Sequence, residues 1–492
     1  MTEQKGYRQI LKSTSLFGGV QVINVVVTII RSKLVAVLLG PNGIAIMGLF
    51  TSTLGVIGGA TNFGLGISAV KDVAAANGRG DKSRISLVVA VFRKLVWITG
   101  LLGMCITLFL SSFLSNLTFG NNNYTVSFVI LSVTLLLNQL NSGQRVLLQG
   151  MRQTNYLAKA GVLGSVIGLF VSIPLFYLFG LDGIVPSLLT TTISTVLLTW
   201  YYSGKIYIED VRVTIRQVFR EGSGMLKIGF LLSLNGLLVS FASYALRLFI
   251  SRIGSVEDVG LYTAGFAIMN TYVGMVFTAM STDFYPRLSA LAHDISQMRQ
   301  AIIQQVEVAV LIVGPILVGF LVFNKWIIYL LYSNKFLSVE VMLHWAALGI
   351  FFKAVSWAIS ITFMAKGNSK VLFWSELSAN IYMLIGNLIG YYWGALTGLG
   401  ISFLVGYLLY LIQVYVVSVR LYNFSFSISF IKIFTLQFSF ALVAFLIVSL
   451  TGTIFSYVVG GGILILSAVF SVFELEKRIG IIDLMKRRLS RK

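Results

Sequence analysis

Apolar stretches about as long as a bilayer-crossing helix recur along the whole chain, broken by short polar loops. A spanning helix takes about 20 mostly apolar residues at ~1.5 Å rise each. That rule predicts spans near 13–39, 43–69, 87–110, 125–150, 157–180, 183–203 and 224–252. It predicts seven more near 259–286, 301–323, 339–365, 371–394, 397–419, 434–452 and 454–474. The expected fold class is therefore all-α, a polytopic integral membrane protein with about 14 transmembrane helices.

Composition agrees with this pattern. The 492 residues are 57 % hydrophobic and 11 % charged, with mean hydropathy +0.89, whereas soluble domains are roughly 25 % charged. Of the 37 Lys and Arg residues, 30 fall in alternate loops, the termini or the adjoining helix ends, and only Arg252, Lys325 and Lys335 fall in the intervening loops. Basic residues collect on the cytoplasmic side of spans, so both termini are expected in the cytoplasm. The net charge of +20 then reflects topology and contact with anionic membrane lipids. Nucleic acid is not an expected partner, because no soluble module is left to carry it. A cleavable signal peptide is not expected either, since the first apolar run is too long for one.

The chain also shows an internal duplication. Leu11-Lys12 opens the first span and Leu226-Lys227 the seventh, followed at similar distances by Gly40 and Gly254. Both halves begin on the same side, as parallel repeats do. The expected organisation is an N-terminal six-helix lobe with an inner loop (1–223), a pseudo-symmetric C-terminal six-helix lobe (224–433), a terminal helix pair (434–474) and a basic cytoplasmic tail (475–492).

Polar residues within a span must face protein or water, so their helical phase marks the bundle interior. Thr14, Gln21, Asn24, Thr28 and Arg31 share one face of the first span; Ser233, Ser240, Ser243, Arg247 and Ser251 share one face of the seventh. The fourth span presents Thr134, Asn138, Asn141, Arg145 and Gln149, the eighth Asn270, the tenth Lys353 and the eleventh Glu376 and Asn380. Small residues on such faces also serve as ordinary helix packing. Arginine is different, because one at mid-bilayer costs at least ~2.5 kcal/mol and is retained mainly beside a partner or a water-filled cavity. Arg31, Arg247, Lys353 and Arg145 are therefore the expected substrate-facing cations, with Gln21, Asn24, Asn138, Asn141, Asn270 and Asn380 as polar lining.

Intramembrane acids are few. Glu307 and Glu376 are candidates for coupling to H+ or Na+, and Asp283 for a gate residue. The two histidines lack metal-ligand spacing, Cys105 is alone, and no phosphate-loop motif follows a strand, so neither an enzyme nor a metal or organic cofactor is expected.

The run Leu38-Leu39-Gly40-Pro41-Asn42-Gly43-Ile44-Ala45-Ile46-Met47-Gly48-Leu49-Phe50, continuing at Leu65-Gly66-Ile67-Ser68-Ala69-Val70-Lys71-Asp72, resembles the O-antigen translocases. These are polysaccharide-unit flippases of the multidrug, oligosaccharidyl-lipid and polysaccharide exporter superfamily. The resemblance implies a substrate of undecaprenyl-diphosphate-linked oligosaccharide, flipped to the outer leaflet of the bacterial inner membrane by alternating access. It also implies proximity to polysaccharide polymerase machinery. The terminal pair resembles the helices that line a lipid-tail groove in peptidoglycan-precursor flippases. Two other functions compete with it: a drug or organic-cation antiporter of the same superfamily, which would favour cavity acids, and a membrane glycan polymerase or ligase, which would need large outer loops.

Overall fold

The computed structural model describes residues 3–291, 293–451 and 453–479, and among them the only regular structure is helical. In chain order the helices are α1 (Glu3–Thr61), α2 (Leu65–Gly78), α3 (Lys82–Phe109), α4 (Ser111–Phe119) and α5 (Thr125–Gly150). Then follow α6 (Thr154–Phe179), α7 (Ile184–Ser203), α8 (Ile215–Ile253), α9 (Val256–Ala267) and α10 (Gly274–Ala290). The last five are α11 (Ile295–Leu331), α12 (Glu340–Ala365), α13 (Ser369–Tyr422), α14 (Ile428–Leu450) and α15 (Thr453–Ile479). Residues 480–492, most of the expected basic tail, lie outside the described residues.

Ten stretches among the described residues are long and apolar enough to cross a bilayer. Three of them hold two passes each. Gly40 breaks α1, Gly394 and Ala395 break α13, and a short 3-10 turn, Gly180–Gly183, separates α6 from α7. With these divided, and with the α9–α10 helix counted, the passes match the spans read from hydropathy. The protein is a multi-pass membrane protein. Large apolar side chains remain on the outside, including Phe109, Phe170, Trp200, Trp393 and Val458, as a surface facing lipid requires.

One boundary differs from expectation. Hydropathy carries the second span to residue 69, but its helix stops at Thr61, and Phe63 and Gly64 both adopt left-handed φ angles of 49° and 60°. Asn62 fixes this elbow by accepting a hydrogen bond through Oδ1 from the Gly64 N–H at 2.8 Å, an Asx-type turn. Helix α2 then leaves in a new direction and buries Leu65, Ala69 and Val73 in a cluster with Val88, Phe92 and Leu95 of α3.

The helices pack as two compact units, Met1–Gly260 and Leu261–Lys492. In the first, α3, α5 and α7 pack side by side, α1 lies against α6, and α8 packs on α1, α2 and α3. The packing boundary thus falls one helix beyond the expected repeat boundary at 223/224, because the seventh span buries its flank on the first three. In the second unit α12 packs along α13, and α11 is surrounded by α12, α14 and α15. Polar groups join the terminal pair to itself and to α11. Gln437 of α14 donates through Nε2 to Ser471 Oγ at 2.7 Å and accepts from Ser467 Oγ at 2.6 Å, beside Gly314 of α11. Glu307 of α11 accepts from Arg478 Nε of α15 at 2.9 Å.

Candidate functional site: a polar cavity in the first unit

Two adjoining cavities of about 450 and 630 Å³ lie inside the first unit. They share Asn62, Asn138, Gln139 and Ser142 in their walls and so read as one chamber. Their sizes fall within the usual ligand-pocket range of roughly 300–1,000 Å³. The fourth span, α5, supplies most of the polar wall because Asn138, Asn141, Arg145 and Gln149 recur at three- and four-residue steps on one face. Glycines 55, 58 and 59 of α1 and Gly100 and Gly103 of α3 also line the chamber. Four of the five sit against neighbouring side chains and so let α1, α3, α5 and α8 approach closely around the chamber. Ser233 of α8 closes the second cavity beside Gly64.

Several of these groups are already positioned. Gln139 Nε2 donates to Thr99 Oγ1 at 2.8 Å, and Asn141 Oδ1 accepts from Thr199 Oγ1 at 2.9 Å. Others are available. Among the described residues, Asn138, Gln149 and Arg145 make no side-chain hydrogen bond, and no carboxylate lines either cavity. The chamber therefore offers amides, hydroxyls and one guanidinium. That set can bind sugar hydroxyls and a phosphate oxygen, since guanidinium gives charge-assisted, often paired hydrogen bonds to phosphate.

The other expected cations are distributed elsewhere. Arg31 lies in the first half of α1, and its Nε is buried with no hydrogen-bond partner among the described residues. Arg247 donates through Nη1 to the Ser243 hydroxyl one turn earlier and to the Ser243 carbonyl at 3.3 Å. Lys353 belongs to the second unit, where its Nζ donates to Asn270 Oδ1 at 2.8 Å and lies 5.1 Å from the Tyr407 ring centroid. Asn270 sits in a π-helical turn, Ile268–Val273, a local irregularity that is frequent at functional sites.

Also in the second unit, Glu376 accepts from the Tyr410 hydroxyl at 2.6 Å, while Asn380 donates back to the Glu376 carbonyl at 2.8 Å. Glu307 is engaged with Arg478 and accepts from Ser427 at 3.4 Å. The side chains of Gln21, Asn24 and Asp283 lie outside the described residues. Gln139 and Thr99 were not singled out from the sequence, because Gln139 follows Asn138 directly and leaves the three-four stripe.

The family model for polysaccharide biosynthesis proteins matches residues 34–341, more than half of the chain. The chain belongs to the polysaccharide biosynthesis protein family. The matched segment includes every wall of the chamber. Among solved structures, an inward-facing MATE family multidrug resistance transporter of the MOP superfamily is similar, with TM-score 0.69 and 18 % identity over 82 % of this chain and 96 % of that one. The lipid II flippase MurJ in an inward closed conformation is similar with TM-score 0.67 and 16 % identity, over 95 % of this chain and 99 % of that one. A MOP superfamily transporter from Pyrococcus furiosus, noted for a binding pocket of reverse polarity, gives TM-score 0.59 and 17 % identity, covering 89 % of this chain and 97 % of that one. The family member described here thus has the MATE and MurJ fold. No curated protein sequence matches it.

Proposed function

We propose that this protein is a flippase that carries an undecaprenyl-diphosphate-linked oligosaccharide, an O-antigen or similar repeat unit, from the cytoplasmic to the outer leaflet of the bacterial inner membrane. The observation that carries this reading is the chamber itself: amides, hydroxyls and Arg145, with no acid among its described walls. Sugar hydroxyls match the amides. The diphosphate matches the cations, with Arg145 in the chamber, Arg31 and Arg247 as further contacts on the first unit, and Lys353 as the cation of the second. Movement follows alternating access. With the inside negative, outward transfer of about two negative charges gains ~2.3 kcal/mol per charge per 100 mV if they cross the whole field. H+ or Na+ coupling, with Glu376 as the acid, would add to that.

An organic-cation antiporter with this fold would be expected to line its cavity with carboxylates. A polymerase or ligase is disfavoured by the fold, which is that of the MATE transporter and the MurJ flippase. The deciding experiment is reconstitution into liposomes with a fluorescent lipid-diphosphate oligosaccharide, scoring its arrival in the opposite leaflet. Transport that is lost in both Arg31→Ala and Arg247→Ala, with normal protein level and insertion, supports the proposal. Transport of a cationic dye with no movement of the lipid would replace it with the antiporter reading.

A further inference from the structure

A third pocket, of about 460 Å³, opens between α3 and the connector of residues 204–214 that joins α7 to α8. The connector opens with a turn and then runs without regular structure over 207–214, and it is pinned. Val213 is buried in the cluster with Val88, Val89 and Phe92 of α3, and Ile206, Ile208 and Val211 pack against the same cluster. Lys94 Nζ donates to the Val213 carbonyl and fixes the far end. The pocket is therefore built before any ligand arrives.

Three cations line it: Arg93, Lys94 and Arg212. Among the described residues Arg93 and Arg212 make no hydrogen bond or ion pair, and backbone N–H groups 207–213 make no backbone hydrogen bond. Two guanidinium groups beside one hollow match a phosphate oxygen cluster. Glu209 and Asp210 also line the pocket, and they oppose an anion. Arg93 and Lys94 lie about two turns into the predicted third span, on the side where the basic loops gather, and side chains of that length reach back toward the interface.

We infer that this pocket holds the phosphate of an anionic phospholipid of the leaflet facing the basic loops. Basic pockets between membrane helices on that side are suited to such headgroups. The site is separate from the polar chamber and stands whether or not the chamber carries a glycan.

The test uses the purified full-length protein and cardiolipin, with phosphatidylcholine and inorganic phosphate as comparison ligands, read by native mass spectrometry. Arg93→Gln with Arg212→Gln should weaken cardiolipin binding by roughly fivefold per cation removed. Glu209→Gln with Asp210→Asn should tighten it, and this pair leaves the packed side of the connector untouched. Arg84→Gln, whose guanidinium pairs with Glu221 outside the pocket, should bind as the wild type does. Unchanged binding in both pocket pairs, or equal binding of phosphatidylcholine, overturns the inference. Displacement of cardiolipin by an equal concentration of inorganic phosphate would assign the pocket to a soluble anion instead.

Discussion

Lys353 and Asn270 meet through a 2.8 Å hydrogen bond that joins α12 to the π-helical turn between α9 and α10. The same ammonium lies within cation–π reach of the Phe403 and Tyr407 rings of α13, so three helices converge on one charge. A hydrogen bond to a charged group contributes about 1.5–3 kcal/mol. Asn270→Leu and Lys353→Met should each lower lipid transport by roughly tenfold, and the double variant should be no worse than the poorer single. Additive losses in that double-mutant cycle would mean that the two residues act separately.

Arg145 gives the cleaner test of the chamber, because among the described residues it makes no side-chain hydrogen bond or ion pair whose loss would unsettle the fold. Arg145→Gln should leave the melting temperature unchanged and reduce transport by roughly tenfold or more, the worth of a charge-assisted contact. Lys159→Gln, outside both cavities, serves as the comparison. Equal transport by the two variants would remove Arg145 from the substrate path.

Gly64 and Gly229 bring the elbow after α1 against α8 so closely that a Cβ on Gly64 would overlap the Gly229 carbonyl. Gly64 also has φ +60°, where an L side chain costs about 1 kcal/mol or more. Gly64→Ala should therefore lower the melting temperature and the transport rate together. Gly236→Ala, further along α8 and facing open space, should be neutral or slightly stabilising by helix propensity. If Gly64→Ala melts like Gly236→Ala, the close approach does not constrain the unit.

Glu307 is buried, while Arg478 retains some solvent exposure. Arg478→Ala strands the carboxylate and should cost about 2–3 kcal/mol after discounting for that exposure. Glu307→Gln with Arg478→Gln should cost less and should still transport. Loss of transport in the double variant at normal stability would return Glu307 to the coupling role read from its place in the sequence.

Asp294 caps α11, accepting from the backbone N–H groups of Ser296 and Gln297. The Gln297 backbone bond is the main cause that holds its carboxyl below the usual 3.8. A depressed carboxyl stabilises the folded state above its unfolded value, and that contribution fades as pH falls through the folded one. Asp294→Ala should thus lower the melting temperature at pH 7, and the gap to wild type should narrow toward pH 3. A gap independent of pH would contradict the capping account.

The helices and the polar face of α5 were legible because hydropathy and the three-four step are local properties. Asn138, Asn141 and Arg145 needed only the helical repeat to be placed together. The elbow at Asn62–Gly64 was not legible, since Leu65–Ala69 is as apolar as the span before it and a positive φ leaves no trace in hydropathy. Gln139 was missed because its amide turns toward Thr99 on another helix. The partner of Glu307 lies 171 residues away, and no pattern within α11 announces it. The resemblance to polysaccharide-unit flippases agreed with the family assignment, while the close approach of α1, α3 and α5 around the chamber rests on glycines distant in sequence.

The break in α13 at Gly394 and Ala395 has a consequence for how the chain enters a bilayer. Gly390 and Gly398 lie back to back across it, so close that a Cβ on either would strike the other's carbonyl. No loop is left between the two arms. They must partition into the membrane together, as one ready-made hairpin whose turn is sealed before it arrives. A tag or glycosylation acceptor placed at that turn should block biogenesis, whereas one in the exposed Asn121–Asn123 loop should be carried across intact.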